Sequence, residues 1–175
     1  MPSASAAAMA LITAVAAAVI GPVATAHAGE LALNGTYAAL SNGEWAKTNE
    51  SYHDEVSVRS VWTISSTCNN PQECTGTVSS DQGWTAPLRK TAVAWIVDRV
   101  IPNWEPCPDG SAAPGQQQIR FWRVSSDGRV DVRNESQTYA GLDNTMSPSG
   151  ACGINQPLVV TMPFRLERLA PSDTG

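Results

Sequence analysis

Short runs of alternating apolar and polar residues, separated by turn-forming residues, recur along this chain and dominate its local structure. The clearest run is 55–65, in which Trp62 and Ile64 fall on one face of an extended strand while Arg59 and Thr63 fall on the other. Beyond residue 28, no window of helical length repeats its apolar residues every 3.6 positions. The pattern therefore predicts an all-β protein.

Two further alternating runs indicate how the strands are connected. Residues 118–125 alternate as far as Asp127-Gly128, a pair typical of hairpin turns, and alternation resumes at Val130 and Val132. Residues 158–169 alternate near the end of the chain, with Pro163 acceptable only at a sheet edge or a bulge. We expect a hairpin at the first site and the closing strand of the sheet at the second.

Shorter extended runs fill most of the remaining chain and are separated by Gly, Asn, Pro, Asp and Ser. They lie at 35–40, 75–80, 84–88, 93–99 and 136–140. Eight or nine short strands at such spacing are typical of a single antiparallel barrel or sandwich. We favour a barrel closed by the last strand, and we expect 102–117 and 141–157 to be long irregular loops.

The four cysteines are Cys68, Cys74, Cys107 and Cys152, for which three disulfide pairings are possible. The residues between Cys68 and Cys74 form turns readily, so two strand ends can meet there. This favours a bond between Cys68 and Cys74 and a second between Cys107 and Cys152, which would join the two expected loops. A zinc site is disfavoured because Cys107 and Cys152 have no nearby ligand pair.

The first 28 residues have the features of a cleaved export signal. They contain no Asp, Glu, Lys or Arg, have an apolar stretch over 6–20, and end in Ala26-His27-Ala28. The stretch is rich in alanine and is broken by Pro22, so an uncleaved membrane anchor is disfavoured. We therefore expect a signal peptide at 1–28, a secreted or envelope location, and no stable membrane insertion after cleavage.

The remaining 29–175 is predicted to be a single β domain, because this length is usual for one domain. The net charge of -5 argues against nucleic acid as a partner, since binding to phosphate backbones depends on Lys and Arg. We expect a monomer without a cofactor or a metal ion.

Six tryptophans are the strongest compositional bias of the chain. Trp62, Trp95 and Trp122 lie within predicted strands and most simply fill the core. The other three, Trp45, Trp84 and Trp104, follow loop-like segments, where an exposed indole can stack on a sugar or line an apolar pocket. These three are the candidate ligand-binding residues; the alternative is that they plug the ends of the sheet.

No residue pattern specifies a reaction. His53 is the only histidine after residue 28, and its neighbour Asp54 points to the opposite face of an extended strand. Acidic residues such as Asp81 and Glu105 are available for hydrolysis, but the sequence does not pair them. We therefore assign no catalytic residue and keep a secreted hydrolase that uses these acids as the alternative function.

Several segments together resemble a family of small exported mycobacterial proteins of unknown function. They are Gly35-Thr36-Tyr37, 41–49, Cys74-Thr75-Gly76, 81–84, 149–153 and 162–166. The resemblance covers most of the chain after residue 28. It implies export to the envelope or the medium and intact disulfides, but no site residue.

The sequence thus favours a secreted, disulfide-bonded, non-catalytic binding or interaction module. Its partner would be a small apolar or sugar ligand, or an envelope or host protein.

Overall fold

A computed structural model describes residues 31–133 and 135–170, so the expected signal peptide at 1–28 lies outside the described residues. Within them, no helix is long and apolar enough to cross a membrane. In this described part of the chain, two 3-10 helices, Gly43–Trp45 and Ala151–Gly153, accompany ten strands. The strands are β1 (Gly35–Ser41), β2 (Lys47–Thr48), β3 (Ser51–Tyr52), β4 (Val58–Asn70), β5 (Glu73–Ser80), β6 (Thr85–Thr91), β7 (Ala94–Pro106), β8 (Ala112–Arg123), β9 (Thr138–Met146) and β10 (Val159–Arg168).

Eight of these strands form a closed antiparallel barrel, which confirms the barrel over the sandwich. The order is β1-β4-β5-β6-β7-β8-β9-β10, and β10 pairs back onto β1. Ala39 of β1 lies opposite Ser60 on one side and Leu166 on the other. The predicted closing strand therefore closes the barrel, while the short β2–β3 hairpin extends the sheet from β10.

Aromatic side chains fill the middle of the barrel. The rings of Trp62 and Phe164 stack with centroids 5.2 Å apart, and Phe121 lies 5.5 Å from Phe164. Gly141 is paired with both phenylalanines, and a Cβ there would lie 1.9 Å from the carbonyl oxygen of Arg120. Only glycine therefore fits opposite these rings at this point of the sheet.

The two ends of the barrel are named after one inward-facing residue each. At the Asp143 end, β1, β5, β7 and β9 finish, and the connecting segments are 42–57, 81–84, 107–111 and 147–158. At the Lys90 end, β4, β6 and β8 finish, and the connecting segments are 71–72, 92–93 and 124–137. The alternating direction of neighbouring strands assigns each loop to its end.

Both favoured disulfides are present, one at each end. Cys68 and Cys74 lie opposite each other on β4 and β5 and are bonded near the Lys90 end. Cys107 and Cys152 are bonded between the β7–β8 and β9–β10 loops at the Asp143 end. Two disulfides in one small domain are typical of proteins that leave the reducing cytoplasm.

The expectation of long irregular loops is wrong for 102–117 and only partly correct for 141–157, where the irregular segment begins after Met146. Strand β7 continues to Pro106, β8 begins at Ala112, and β9 runs on to Met146. The pairing of β7 with β8 shifts register between Ile101 and Glu105. Because a bulge absorbs the extra residues, a segment that contains prolines and does not alternate cleanly still pairs with its neighbour.

The predicted hairpin at Asp127-Gly128 is only half correct. The turn forms, with the Gly128 amide donating to Ser125, but the returning chain makes a single bridge between Val130 and Val124. The Asp131 carboxylate then accepts the amide of Ser136 at 2.7 Å. Because this side chain captures a backbone donor, the segment coils and the next strand begins only at Thr138.

Candidate functional site

A hydrogen-bonded polar cluster occupies the interior of the barrel at the Asp143 end. Asp143 Oδ2 accepts the Ser41 hydroxyl at 2.6 Å, and Gln117 Nε2 donates to Oδ1 and Oδ2 at 2.8 and 3.0 Å. Gln117 Oε1 in turn accepts Arg99 Nε. The Arg99 guanidinium lies 4.2 Å from the ring centroid of Trp84, so a chain of contacts runs from the core to the rim.

This cluster closes its end of the barrel. Burial raises the pKa of Asp143, and hydrogen bonds from Ser41 and Gln117 together with the charge of Arg99 oppose that rise. Trp84 packs edge-on against Trp62 with centroids 5.5 Å apart. The space that remains among these side chains is about 20 Å³, roughly one water molecule, so no ligand fits there without rearrangement.

The three candidate tryptophans all lie at the Asp143 end but in different surroundings. Trp45 ends a 3-10 helix and is 63% exposed. Trp84 lines the 20 Å³ space beneath Arg99. Trp104 is half-buried next to Gly115, where a Cβ would come within 2.8 Å of the indole. Of the three, only Trp84 borders that space.

The residues considered for hydrolysis also belong to this end. His53 Nδ1 lies 3.2 Å from Glu55 Oε1, and the histidine is exposed. Asp81 accepts the amide of Val61 at 3.0 Å, which gives it a structural role in the β5–β6 turn. Glu105 Oε2 is buried and has no hydrogen-bond partner among the described residues. No three His, Cys, Asp or Glu side chains converge to hold a metal ion in residues 31–133 and 135–170.

The interior of the barrel is more open at the Lys90 end than among the packed side chains of the Asp143 end. A cavity of about 240 Å³ lies between the loops at the Lys90 end, with Lys90, Trp95, Arg123 and Tyr139 in its wall. Its rim carries three exposed apolar side chains, those of Val93, Val130 and Val132. Cationic, aromatic and apolar groups therefore meet at one accessible surface.

Each cation of this cavity lies over an aromatic ring of the barrel. Lys90 Nζ is 5.6 Å from the ring centroid of Trp95 and donates to the carbonyl oxygen of Pro71 at 2.8 Å. Arg123 lies 5.2 Å from the ring centroid of Tyr139 and donates to the carbonyl oxygen of Ser136 at 2.8 Å. These contacts fix the direction of both cations because the rings beneath them are buried.

The positive charges of Lys90 and Arg123 lie close enough in this cavity to affect each other, and Lys90 is partly buried. Burial lowers the pKa of Lys90, and the charge of Arg123 lowers it further. Burial also raises the pKa of Tyr139 to about 12 despite the opposing effect of Arg123. Tyr139 is therefore a neutral hydroxyl at physiological pH, while Lys90 and Arg123 are cations in the same wall.

Sequence reasoning missed the Lys90 cavity. Trp95 was expected only as a core residue, and its ring is indeed buried. One signal was available: Lys90 follows Ala86 and Leu88 at alternate positions of β6, so it continues the inward face of that strand. A lysine on an inward face, one residue from the strand's end, marks the mouth of a barrel.

The described residues thus form a closed eight-stranded antiparallel barrel with two disulfides. Its interior is filled by a polar cluster at the Asp143 end and open to a cavity at the Lys90 end. No family model matches the chain, and no curated protein matches it.

Among solved structures, the chain is similar to the monomer form of the sensor domain of PknI from M. tuberculosis. The TM-score is 0.53 at 13% sequence identity, and the match covers 82% of this chain and 93% of that one. At this identity the likeness supports the fold alone. The neighbour is mycobacterial, as are the members of the family that the sequence resembles.

Proposed function

We propose that this protein is an extracellular, non-catalytic binding module that takes a small ligand into the cavity at the Lys90 end. The observation that carries the proposal is that the interior of the barrel is open at the Lys90 end and filled at the Asp143 end. Larger grooves, of about 690 and 330 Å³, lie beside the outward-facing residues Leu40 and Arg165 and do not enter the barrel in this way. About 240 Å³ lies open beside Lys90, against about 20 Å³ at the packed Asp143 end. Small ligands bind in concave sites with apolar walls and a few polar groups, as this cavity has.

Two further observations support an exported binding role. The disulfides favour an oxidising compartment, which fits the signal peptide predicted at 1–28. The exported part would then be the single domain predicted over 29–175. The similar solved structure is named a sensor domain, and sensing is a binding function. By analogy, ligand binding by this chain would report a condition outside the cytoplasm.

The loop tryptophans define an alternative ligand-binding site on the same protein. Trp45, Trp84 and Trp104 all lie at the Asp143 end, and an exposed indole such as Trp45 can stack on a sugar. If these residues bind the ligand, the affected surface is the opposite end of the barrel. The two sites are far enough apart in the sheet to be told apart residue by residue.

The test is a screen of small organic fragments, charged and neutral, monitored by backbone amide chemical shifts of the full secreted chain. We expect the shifts that change on binding to cluster at 90–95, 123–132 and 139. The variant Trp45→Ala serves as a matched control and should leave those changes intact. Changes confined to 43–45, 84 and 104, or no changes with any fragment, would refute the Lys90 cavity as the binding site.

A further inference from the structure

We infer that the ligand of the Lys90 cavity is an amphipathic anion, with one anionic head group held at Lys90 and Arg123 and an apolar body on the valine rim. This inference rests on the proposed function and specifies the chemistry of the same site. It is carried by the positions of the two cations and of the exposed valines around one opening.

Lys90 provides the anchor for the head group. Its ammonium has three N–H donors, and one is directed at the carbonyl oxygen of Pro71. None of the ion pairs found within 31–133 and 135–170 includes Lys90. A partly buried ammonium whose charge is not balanced by a carboxylate is costly, and an anion within hydrogen-bond distance would offset that cost.

Arg123 adds a second positive charge to the same wall. The fields of the two cations overlap, since Arg123 disfavours the charged form of Lys90. Asp131 also lines the cavity and is the one carboxylate among the described residues of its wall. Its oxygens accept the backbone amides of Arg133 and Ser136, at 3.0 and 2.7 Å, and its charge also acts on Arg123, so it offsets part of the positive charge of Arg123. Two cations against one carboxylate leave the wall positive.

The apolar rim indicates that the anion has an apolar body. Val93, Val130 and Val132 are 59%, 44% and 80% exposed, and they project from two loops around the same cavity. A small hydrophilic anion would contact the cations and leave these side chains in water. An aliphatic or aromatic body would cover them and gain the free energy of that burial.

The test compares three probes with the full secreted chain by calorimetry: decanoate, decanol and inorganic phosphate. We expect decanoate to bind about tenfold or more tighter than decanol, since a charge-assisted hydrogen bond forms only with the anion. Phosphate should bind much more weakly than decanoate. The affinity for decanoate should also fall as the pH rises through the lowered pKa of Lys90.

The matched variants are Lys90→Met, Lys90→Arg and Lys47→Met. Lys90→Met keeps an apolar stem over Trp95 and should lose the preference for decanoate over decanol, whereas Lys90→Arg should retain it. Lys47 is the chain's other lysine and lies over Tyr52 on the β2–β3 hairpin, so Lys47→Met should bind decanoate as the unchanged protein does.

The outcomes separate the inference from the proposed function. Equal affinity for decanoate and decanol, unchanged in Lys90→Met, would overturn the anion assignment and leave a cavity for neutral ligands. Phosphate binding as tight as decanoate would overturn the amphipathic part. No amide shifts at the Lys90 end with any fragment or probe would refute both.

Discussion

The two ends of the barrel solve the problem of inward-facing polar residues in opposite ways. At the Asp143 end, the carboxylate is deeply buried and satisfied by Ser41 and Gln117. At the Lys90 end, the ammonium lies nearer the rim, over Trp95 and beside an open cavity. A polar group far from water must find its partners within the protein, whereas one at the mouth can share them with solvent or a ligand.

The two disulfides also differ between the ends: one is local in sequence and the other is long-range. Cys68 and Cys74 join neighbouring strands that already pair, while Cys107 and Cys152 join two loops 45 residues apart in the sequence. The first bond reinforces local structure at the open end. The second holds together the loops that cover the closed end.

The largest difference between the ends should appear when the disulfides are removed. Loop-closure entropy predicts a loss of about 4 kcal/mol for Cys107→Ala with Cys152→Ala, and about 2 kcal/mol for Cys68→Ala with Cys74→Ala. Urea unfolding of the two double variants measures both values. Equal losses would show that the closed end does not depend on its long-range bond more than the open end does.

Loss of one hydrogen-bonding side chain should also affect the closed end more. Gln117→Leu removes both hydrogen bonds that the Gln117 side-chain amide donates to the Asp143 carboxylate. It should destabilise the fold by about 1.5–3 kcal/mol. Lys90→Met leaves no buried group without a partner side chain and should cost less than about 1 kcal/mol. Free energies of unfolding from denaturant titration compare the two, and the reverse order would contradict the distinction drawn between the ends.

Packing at the closed end can be probed at Gly115. A Cβ there would lie 2.7 Å from Thr145 Cγ2 and 2.8 Å from the Trp104 ring, so Gly115→Ala should cost about 1–3 kcal/mol. Adding Trp104→Leu should recover part of that loss, because the smaller side chain makes room. Thermal unfolding measures both variants; a neutral Gly115→Ala would mean that Trp104 is free to move.

The smallest expected effect is on the pH dependence of folding stability, to which Asp143 and Asp131 contribute with opposite signs. The pKa of Asp143 is raised by burial, so its contribution to stability is full below the unfolded value of 3.8 and is lost as pH rises through the raised pKa. The pKa of Asp131 is lowered, chiefly by the backbone hydrogen bond from Ser136, so its contribution is present above 3.8 and is lost as pH falls.

Comparison with Asp143→Asn and Asp131→Asn isolates the two contributions. As the pH falls from 7 to 4, the protein should gain stability relative to Asp143→Asn. As the pH falls further, through 3.8, it should lose stability relative to Asp131→Asn. Unfolding free energies measured across this range test both signs. Parallel curves for Asp143→Asn and the unchanged protein would show that Asp143 is not desolvated at the closed end.

Much of the barrel could be predicted from local sequence, while the cavity at its Lys90 end could not. Alternation predicted the strand that contains Trp62 and the closing strand that contains Phe164, since a half-buried strand repeats every two residues. It failed at Asn103, whose left-handed backbone lies within the β7 bulge, and at Asp131, whose side chain captures backbone donors. The first departure is a bulge in strand pairing and the second is a local side-chain hydrogen bond, and neither leaves a trace in the alternation of apolar residues.

The sequence by itself determined an all-β fold, and it favoured the cysteine pairing that the structure shows. Only the tertiary structure decided that the barrel is packed shut at Asp143 and open at Lys90. The physical reason is that periodicity assigns a side chain to the inside of a sheet, whereas closure and register assign its depth and its neighbours. Depth decides whether an inward charge is a structural plug or part of a binding site.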